Sequence, residues 1–485
     1  MALSAMPGMR ASLIASYIKL VKSVPWQIQD ALAPDLAHVR IPPAPPAVPA
    51  GVWTGFGLAS ADHPIAAGRH PRILFEIDDN DPASRGWSVG MKGGGAADFE
   101  SDPRYRFPEA PSGTRFPFAR TLKNGHALPS TASHRIWGGM QADEAALEFT
   151  HALALHDLSL RAEPGVSAAT AIPLDVVTLE QVPVQRGAST EFVDMAAYAS
   201  DILGYPGLRL AELRAVTRSG LRIAQATNAL LEGREPNQAS QMVALIAEIY
   251  RAWGQPFQPP ERRPKFDEAS ESETQAARLA FLREIYLLNQ AAADRIVVAA
   301  ERQTLRTIAL AHGAGGHLGG MQAGMVERDN EILFLDPPIG AASGGATAPR
   351  NMTVSGEILD LDGSVYFPWI GRSDMDDFHR LFNAQELQSL QAADLDYWEL
   401  SMYWLRQAMS GRELRPGQTL VDFPFGDPEE MGLRIIPSSF DLQAEQAFAL
   451  LTRDRDERGF RSDDRAAWYW RWYAAGREAR KQLGD

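Results

Sequence analysis

Asn351 and Asp360 stand nine positions apart in ATAPRNMTVSGEILDLDGS, residues 346–364. Between them lie a short apolar stretch, a Ser-Gly turn and a second apolar stretch, the pattern of a tight β-hairpin. Folded that way, an amide oxygen and a carboxylate can face one divalent cation. Mg2+ favours such hard oxygen ligands and keeps waters and phosphate oxygens as its other partners. Asp362, two residues on, projects from the same side of a strand as Asp360. It either joins the cation or caps the turn.

Upstream, Lys92 ends a strand-like run in WSVGMKGGG, and Glu144 lies in an amphipathic helical run over 138–157. Lys, Glu, Asn and Asp, in that chain order, are the parts of a kinase-type nucleotide site. The amine neutralises phosphate oxygens, the helix acid orients the amine, and the last two hold the metal. Gly93–Gly95 read as a sharp turn leaving the strand, with phosphate cradling as a secondary role.

These residues need elements to hold them. RILFEIDD (72–79) and WSVGMK (87–92) read as strands, and IPLDVVTLEQVPVQRG (172–187) returns to strand. Residues 93–134, rich in Gly, Pro, Ser and Asp, read as an elaborated loop over a cleft. Residues 1–32 read as a helix, and IPPAPPAVPA (41–50) as an extended strap. From about residue 190 the pattern turns helical, through YASDILGYPGLRLAELRAVTRSGLRIAQATNALLEG and QMVALIAEIYRAWG. One or two long helices then run to His312-Gly313. The aromatic run Trp468, Tyr469, Trp470, Trp472, Tyr473 reads as the docking face of a terminal helix. The outline is α+β in two lobes: an N-terminal segment over 1–50, a β-rich lobe with one key helix over 51–190, and a larger helical lobe over 191–485 carrying the hairpin at 346–364.

The 485 residues give room for a sizeable core, and a net charge of −14 argues against a broad nucleic-acid surface. The chain has no cysteine, which removes disulfides, thiolate metal sites and thiol nucleophiles and fits a cytosolic protein. No stretch has the length of a membrane span.

MKGGG, RIWGGMQADEAALEFTHAL, LRAVTRSGLRIA, AHG and PRNMTVSGEILDLDGS, in that order, resemble selenoprotein O, a family of pseudokinase-fold enzymes that move AMP onto protein hydroxyls. The resemblance covers roughly residues 65–370 and points to a remote, MchC-like branch of the kind found beside peptide-natural-product genes. It implies a protein-kinase-like fold, ATP with Mg2+ or Mn2+, and a protein or peptide acceptor. Lys92 and Glu144 match the strand lysine and the helix acid. Asn351 and Asp360 match the metal ligands, with the same spacing. Arg222, with Arg214 or Arg218, lies near two arginines that grip phosphates, and their guanidinium forks suit phosphate oxygens. Arg72 is a further phosphate contact or a surface residue. His312-Gly313 matches the family's His-Gly pair at the nucleotide. A brace for the catalytic segment suits His312 better than a transition-metal site, because His317 brings no third ligand at standard spacing.

Two departures stand out. The family has an acid directly before its metal-binding Asn, where this chain has Arg350, and a guanidinium cannot accept a proton near neutral pH. About three dozen extra residues also follow His312-Gly313. In a second alignment Gln322 and Asp336, within that insert, take the metal-ligand positions. The Arg350 departure keeps open a non-catalytic ATP-binding scaffold. The long inserts keep open a kinase-like tailoring enzyme for a peptide natural product or small metabolite.

Overall fold

The computed structural model describes residues 72–76, 88–93, 105–106, 114–123, 126–127, 136–187, 189–219, 221–223, 226, 230, 239–262, 264, 266, 271–318, 325–328, 331–334, 351–359, 361, 391, 394–395, 398, 401–402, 404–406, 408–411 and 462–482. The helix and strap expected over 1–50, together with Gln322, Asp336, Arg350, Asp360 and Asp362, lie outside the described residues. Those described mix helix and strand, an α+β composition. No helix among them is long and apolar enough to cross a membrane.

The chain divides into two compact units that interleave along the sequence. A strand unit comprises Ala33–Thr150 and Ile172–Gly220, and a helical unit comprises Met1–Leu32, His151–Ala171 and Leu221–Asp485. This division differs from a β-rich lobe closing at residue 190.

The strands of the first unit are β1 (Arg72–Glu76), β2 (Ser88–Lys92), β3 (Tyr105–Arg106), β4 (Thr114–Arg115), β5 (Ala119–Lys123), β6 (His126–Ala127), β7 (Ile136–Trp137), β8 (Met140–Gln141), β9 (Ile172–Thr178), β10 (Gln181–Arg186), β11 (Ser189–Asp194) and β12 (Leu210–Thr217). Helix α1 (Ala142–Ala162) follows β8, and the unit boundary falls inside it. The main sheet has five strands, all antiparallel, in the order β1-β2-β12-β8 with β9 also on β12. Since β9 and β2 both pair with residues 213–216 of β12, they hold opposite edges, and β8 continues the β2 edge. β12 is therefore the central strand.

That placement overturns the helical reading of LRLAELRAVT. Leu, Ala, Glu and Arg favour helix locally, but Leu210, Ala211, Glu212 and Leu213 are all buried, as a strand paired on both edges demands. The loop expected over 93–134 holds short strands, β3 to β6. A three-stranded sheet, β11-β10-β4, closes a second core around Phe118, Val182, Val184, Tyr198 and Leu203, where the Tyr198 hydroxyl donates to the Phe118 carbonyl at 3.0 Å.

The helical unit is built on α3 (Glu271–Gly313), with α2 (Ala239–Ala252) before it and a β13–β14 ribbon (Met325–Arg328 and Glu331–Phe334) after it. α3 breaks at Asn289, whose backbone leaves helical geometry; its amide clamps Gln258, accepting from Gln258 N at 2.7 Å and donating to Gln258 O at 2.8 Å. The aromatic helix α4 (Ser462–Lys481) docks along α3. Tyr469 and Trp472 are buried, Trp468 Nε1 donates to Arg302 O at 3.0 Å, and Arg306 lies over the Trp472 ring. The backbones meet at two glycines. A Cβ on Gly313 would lie 1.9 Å from Tyr473 O, and one on Gly476 would lie 2.3 Å from Leu310 O.

Candidate functional site

Lys92 ends β2 directly opposite Leu213 of β12, so both side chains share a face of the sheet. The first half of α1 packs on that face. Ala145 joins Met140, Ala211 and Leu213 in a buried cluster, with Phe149 and Val176 against it. Lys92 is therefore only 5% exposed, and a buried ammonium needs a carboxylate. It has one: Lys92 Nζ donates to Glu148 Oε2 at 2.5 Å, with both side chains under a tenth exposed.

The acid expected there was Glu144, and the pairing acid is Glu148, one turn further along the same helix face. The reason lies at the helix start. Glu144 is the third residue of α1, and its Oε2 accepts from the backbone N–H of Gln141 at 3.4 Å, as an acid in the first turn does when it caps an orphan donor. Glu148, deeper in the helix, is the acid that lies at the strand end. Gly93 makes the expected sharp turn, with φ +90° and a Cβ position 2.5 Å from Ala211 O, so only glycine fits between β2 and β8.

In the helical unit the hairpin forms. Met352 bridges Ile358, Gly356 N donates to Thr353 O at 2.9 Å with Gly356 at φ +71°, and Leu359 N donates to Asn351 O at 2.8 Å. Leu221–Ile223 holds one side through Val354 N to Leu221 O and Ile223 N to Met352 O, and Ala169–Thr170 holds the other. Gln303 of α3 donates to Ser355 O at 2.9 Å. Asn351 is 1% exposed, and Arg222 Nη1 approaches its Oδ1 at 3.5 Å. The structure thus brings Arg222 and Asn351 together.

His151 was not anticipated. It lies one turn past Glu148 on α1, and its Nδ1 donates to the carbonyl of Leu361, the residue between Asp360 and Asp362. Burial, the largest influence, outweighs that hydrogen bond and drives the His151 pKa down to about 4, with His317 nearby adding to the fall. A histidine on a helix otherwise apolar around it was the available signal.

The remaining residues fall elsewhere. Arg214 Nε donates to Glu212 Oε1 at 2.8 Å, a pair with Glu212 fully buried, which gives that guanidinium a carboxylate within the protein. Arg218 follows the end of β12 and is half-buried. Arg72 lies opposite Lys92 in the β1–β2 register. His312 and Gly313 end α3. His312 is buried in the last turn of α3 with both ring nitrogens engaged, Nδ1 to Tyr469 Oη and Nε2 to Asp394 Oδ2, each at 2.9 Å. Gly313 is closed over by Tyr473. His312 is a brace.

Of the three cation ligands expected, Asn351 alone is among the described residues. Its amide oxygen is a hard neutral oxygen of the kind Mg2+ takes, and the Arg222 guanidinium stands 3.5 Å from it. No group of three or more His, Asp or Glu among the described residues could hold a metal ion. No protein-family model matches the chain, and no curated protein matches it.

Proposed function

We propose that the chain is a protein-kinase-like nucleotide-binding transferase that moves AMP from ATP onto a hydroxyl of a protein or peptide. One observation carries this reading: the buried ion pair between Lys92, at a strand end followed by a glycine turn, and Glu148, on the helix packed against that sheet. Protein kinases aim their phosphate-binding lysine with such a pair. An antiparallel five-stranded sheet with one helix on its face supports the same class, as does the resemblance to selenoprotein O.

In this reading Lys92 binds phosphate oxygens and Glu148 keeps its ammonium charged and aimed. Arg222 takes further phosphate oxygens. Asn351, with Asp360 and Asp362, would hold Mg2+ or Mn2+. His151 fixes the carbonyl between those two acids. The cation supplies charge neutralisation on the triphosphate. The acceptor oxygen attacks the α-phosphorus and gives up its proton to solvent, the bond from that phosphorus to the α–β bridging oxygen breaks, and pyrophosphate leaves. Transfer of this kind rests mainly on positioning and charge, so Arg350 in place of a base does not forbid it.

Arg350 also favours a second reading, a scaffold that binds ATP without turnover. Incubation with α- and γ-labelled ATP, read by mass spectrometry of the acceptors, separates the outcomes. AMP transfer lost in both Lys92→Ala and Asp360→Ala is the expected result. Tight binding without transfer supports the scaffold, and transfer surviving Asp360→Ala refutes the metal assignment.

A further inference from the structure

Tyr469 carries a buried hydroxyl whose one hydrogen-bond partner among the described residues is His312 Nδ1, at 2.9 Å. The other ring nitrogen, Nε2, faces Asp394 Oδ2 at 2.9 Å, and the same oxygen accepts from Leu318 N at 2.7 Å. Gln391 Nε2 donates to Gly316 O at 2.8 Å and reaches His312 O at 3.3 Å. The turn after α3 is thus held by side chains from two other segments of the helical unit. We propose that α4 is a latch on this turn: the Tyr469 hydroxyl, acting through His312 and Asp394, sets the backbone of Ala314–Leu318, and undocking α4 releases it.

The direction of the protons follows from the chemistry. Burial pushes the Tyr469 pKa well up, so its O–H proton stays on and needs an acceptor. Among the described residues, the lone pair in reach is that of His312 Nδ1. With Nδ1 accepting, the ring donates its Nε2 proton to the Asp394 carboxylate. One donor–acceptor order therefore runs from α4 to the oxygen that receives Leu318 N. The released turn is no idle segment. It carries His317, buried and near enough to Asp394 and His151 to feel the charge of the first and to act on the second, and it leads in sequence into the long insert that ends before Asn351. Tyr469 is a positioning residue in this scheme, and the latch holds whether or not the chain transfers AMP.

The test is amide hydrogen exchange on the full chain without nucleotide. In Tyr469→Phe the amides of Gly315, Gly316 and Leu318 exchange about tenfold faster, since one buried hydrogen bond of the relay is gone. Trp468→Phe removes the donation to Arg302 O from the same helix but leaves the relay, and the turn keeps its protection. Faster exchange confined to α4, or equal loss of turn protection in the two variants, overturns the latch. If Tyr469→Phe does not fold, nitrogen chemical shifts of the His312 ring in the unaltered protein at neutral pH decide. A neutral ring with its proton on Nε2 supports the relay; a proton on Nδ1, or an imidazolium, sinks it.

Discussion

His156 ties the end of α1 to the segment that follows it. Its Nδ1 accepts from Ala168 N at 3.2 Å, and its Nε2 donates to Ala171 O at 3.4 Å, so the fold needs the neutral ring. Burial is the main reason its pKa falls from the ordinary 6.5 to about 4; the bond to Ala171 opposes the fall and Arg306 adds to it. His151 and His317, also buried, are depressed to about 4 as well. The folded pKa values lie below the unfolded one. As pH falls, the unfolded chain takes up protons first, so this stability is fully present above pH 6.5 and drains away as pH drops toward 4. Between pH 7 and pH 5 each such histidine removes about 2 kcal/mol, and the three together on the order of 5 kcal/mol. That is a large part of a typical domain's stability. Urea unfolding of the full chain by circular dichroism, across pH 7 to 5, reads the slope directly. In His156→Asn, which keeps an oxygen near the Nδ1 position, stability at pH 7 falls but the slope near pH 5 flattens by about 1 kcal/mol per pH unit, one proton's worth. An unchanged slope in that variant would refute the neutral, buried assignment of His156.

Two further outcomes test the packing. Glu148→Gln removes the carboxylate 2.5 Å from the buried Lys92 ammonium and destabilises the chain by about 3 kcal/mol, whereas Glu144→Gln, which keeps an acceptor for Gln141 N–H, costs less; equal losses in denaturant unfolding would contradict the Lys92–Glu148 pair. Gly313→Ala drives a methyl into the Tyr473 carbonyl and lowers stability by about 3 kcal/mol, and a melting temperature unmoved by that change would contradict the backbone contact between α3 and α4.

The hairpin was legible because its apolar alternation, Ser-Gly turn and flanking Asn are local signals. Lys92 at a strand end, the turn at Gly93 and the buried face of α4 were legible for the same reason. What escaped depended on partners far along the chain. Leu210–Thr217 carries helix-favouring residues and becomes a strand only because β2 and β9 pair with it from both sides. Choosing Glu148 over Glu144 required knowing where the strand end meets the helix. The two partners of the His312 ring, Tyr469 and Asp394, are distant in sequence and left no local signal.

The threading of the two units has a practical outcome at the ribosome. β2 cannot gain its central neighbour until Leu213 to Thr217 have been synthesised, more than a hundred residues later, and the length emerging in between includes Ala152, Leu155 and Leu158, apolar residues that end up buried. Early folding is therefore delayed while sticky surface accumulates. A gene fragment cut after Gly220 would keep the whole sheet yet strand residues 151–171 without Thr307 and Ile358, the groups that hold Ala169 and Thr170. Such a fragment should need a chaperone, or the missing half supplied in trans, to stay in solution.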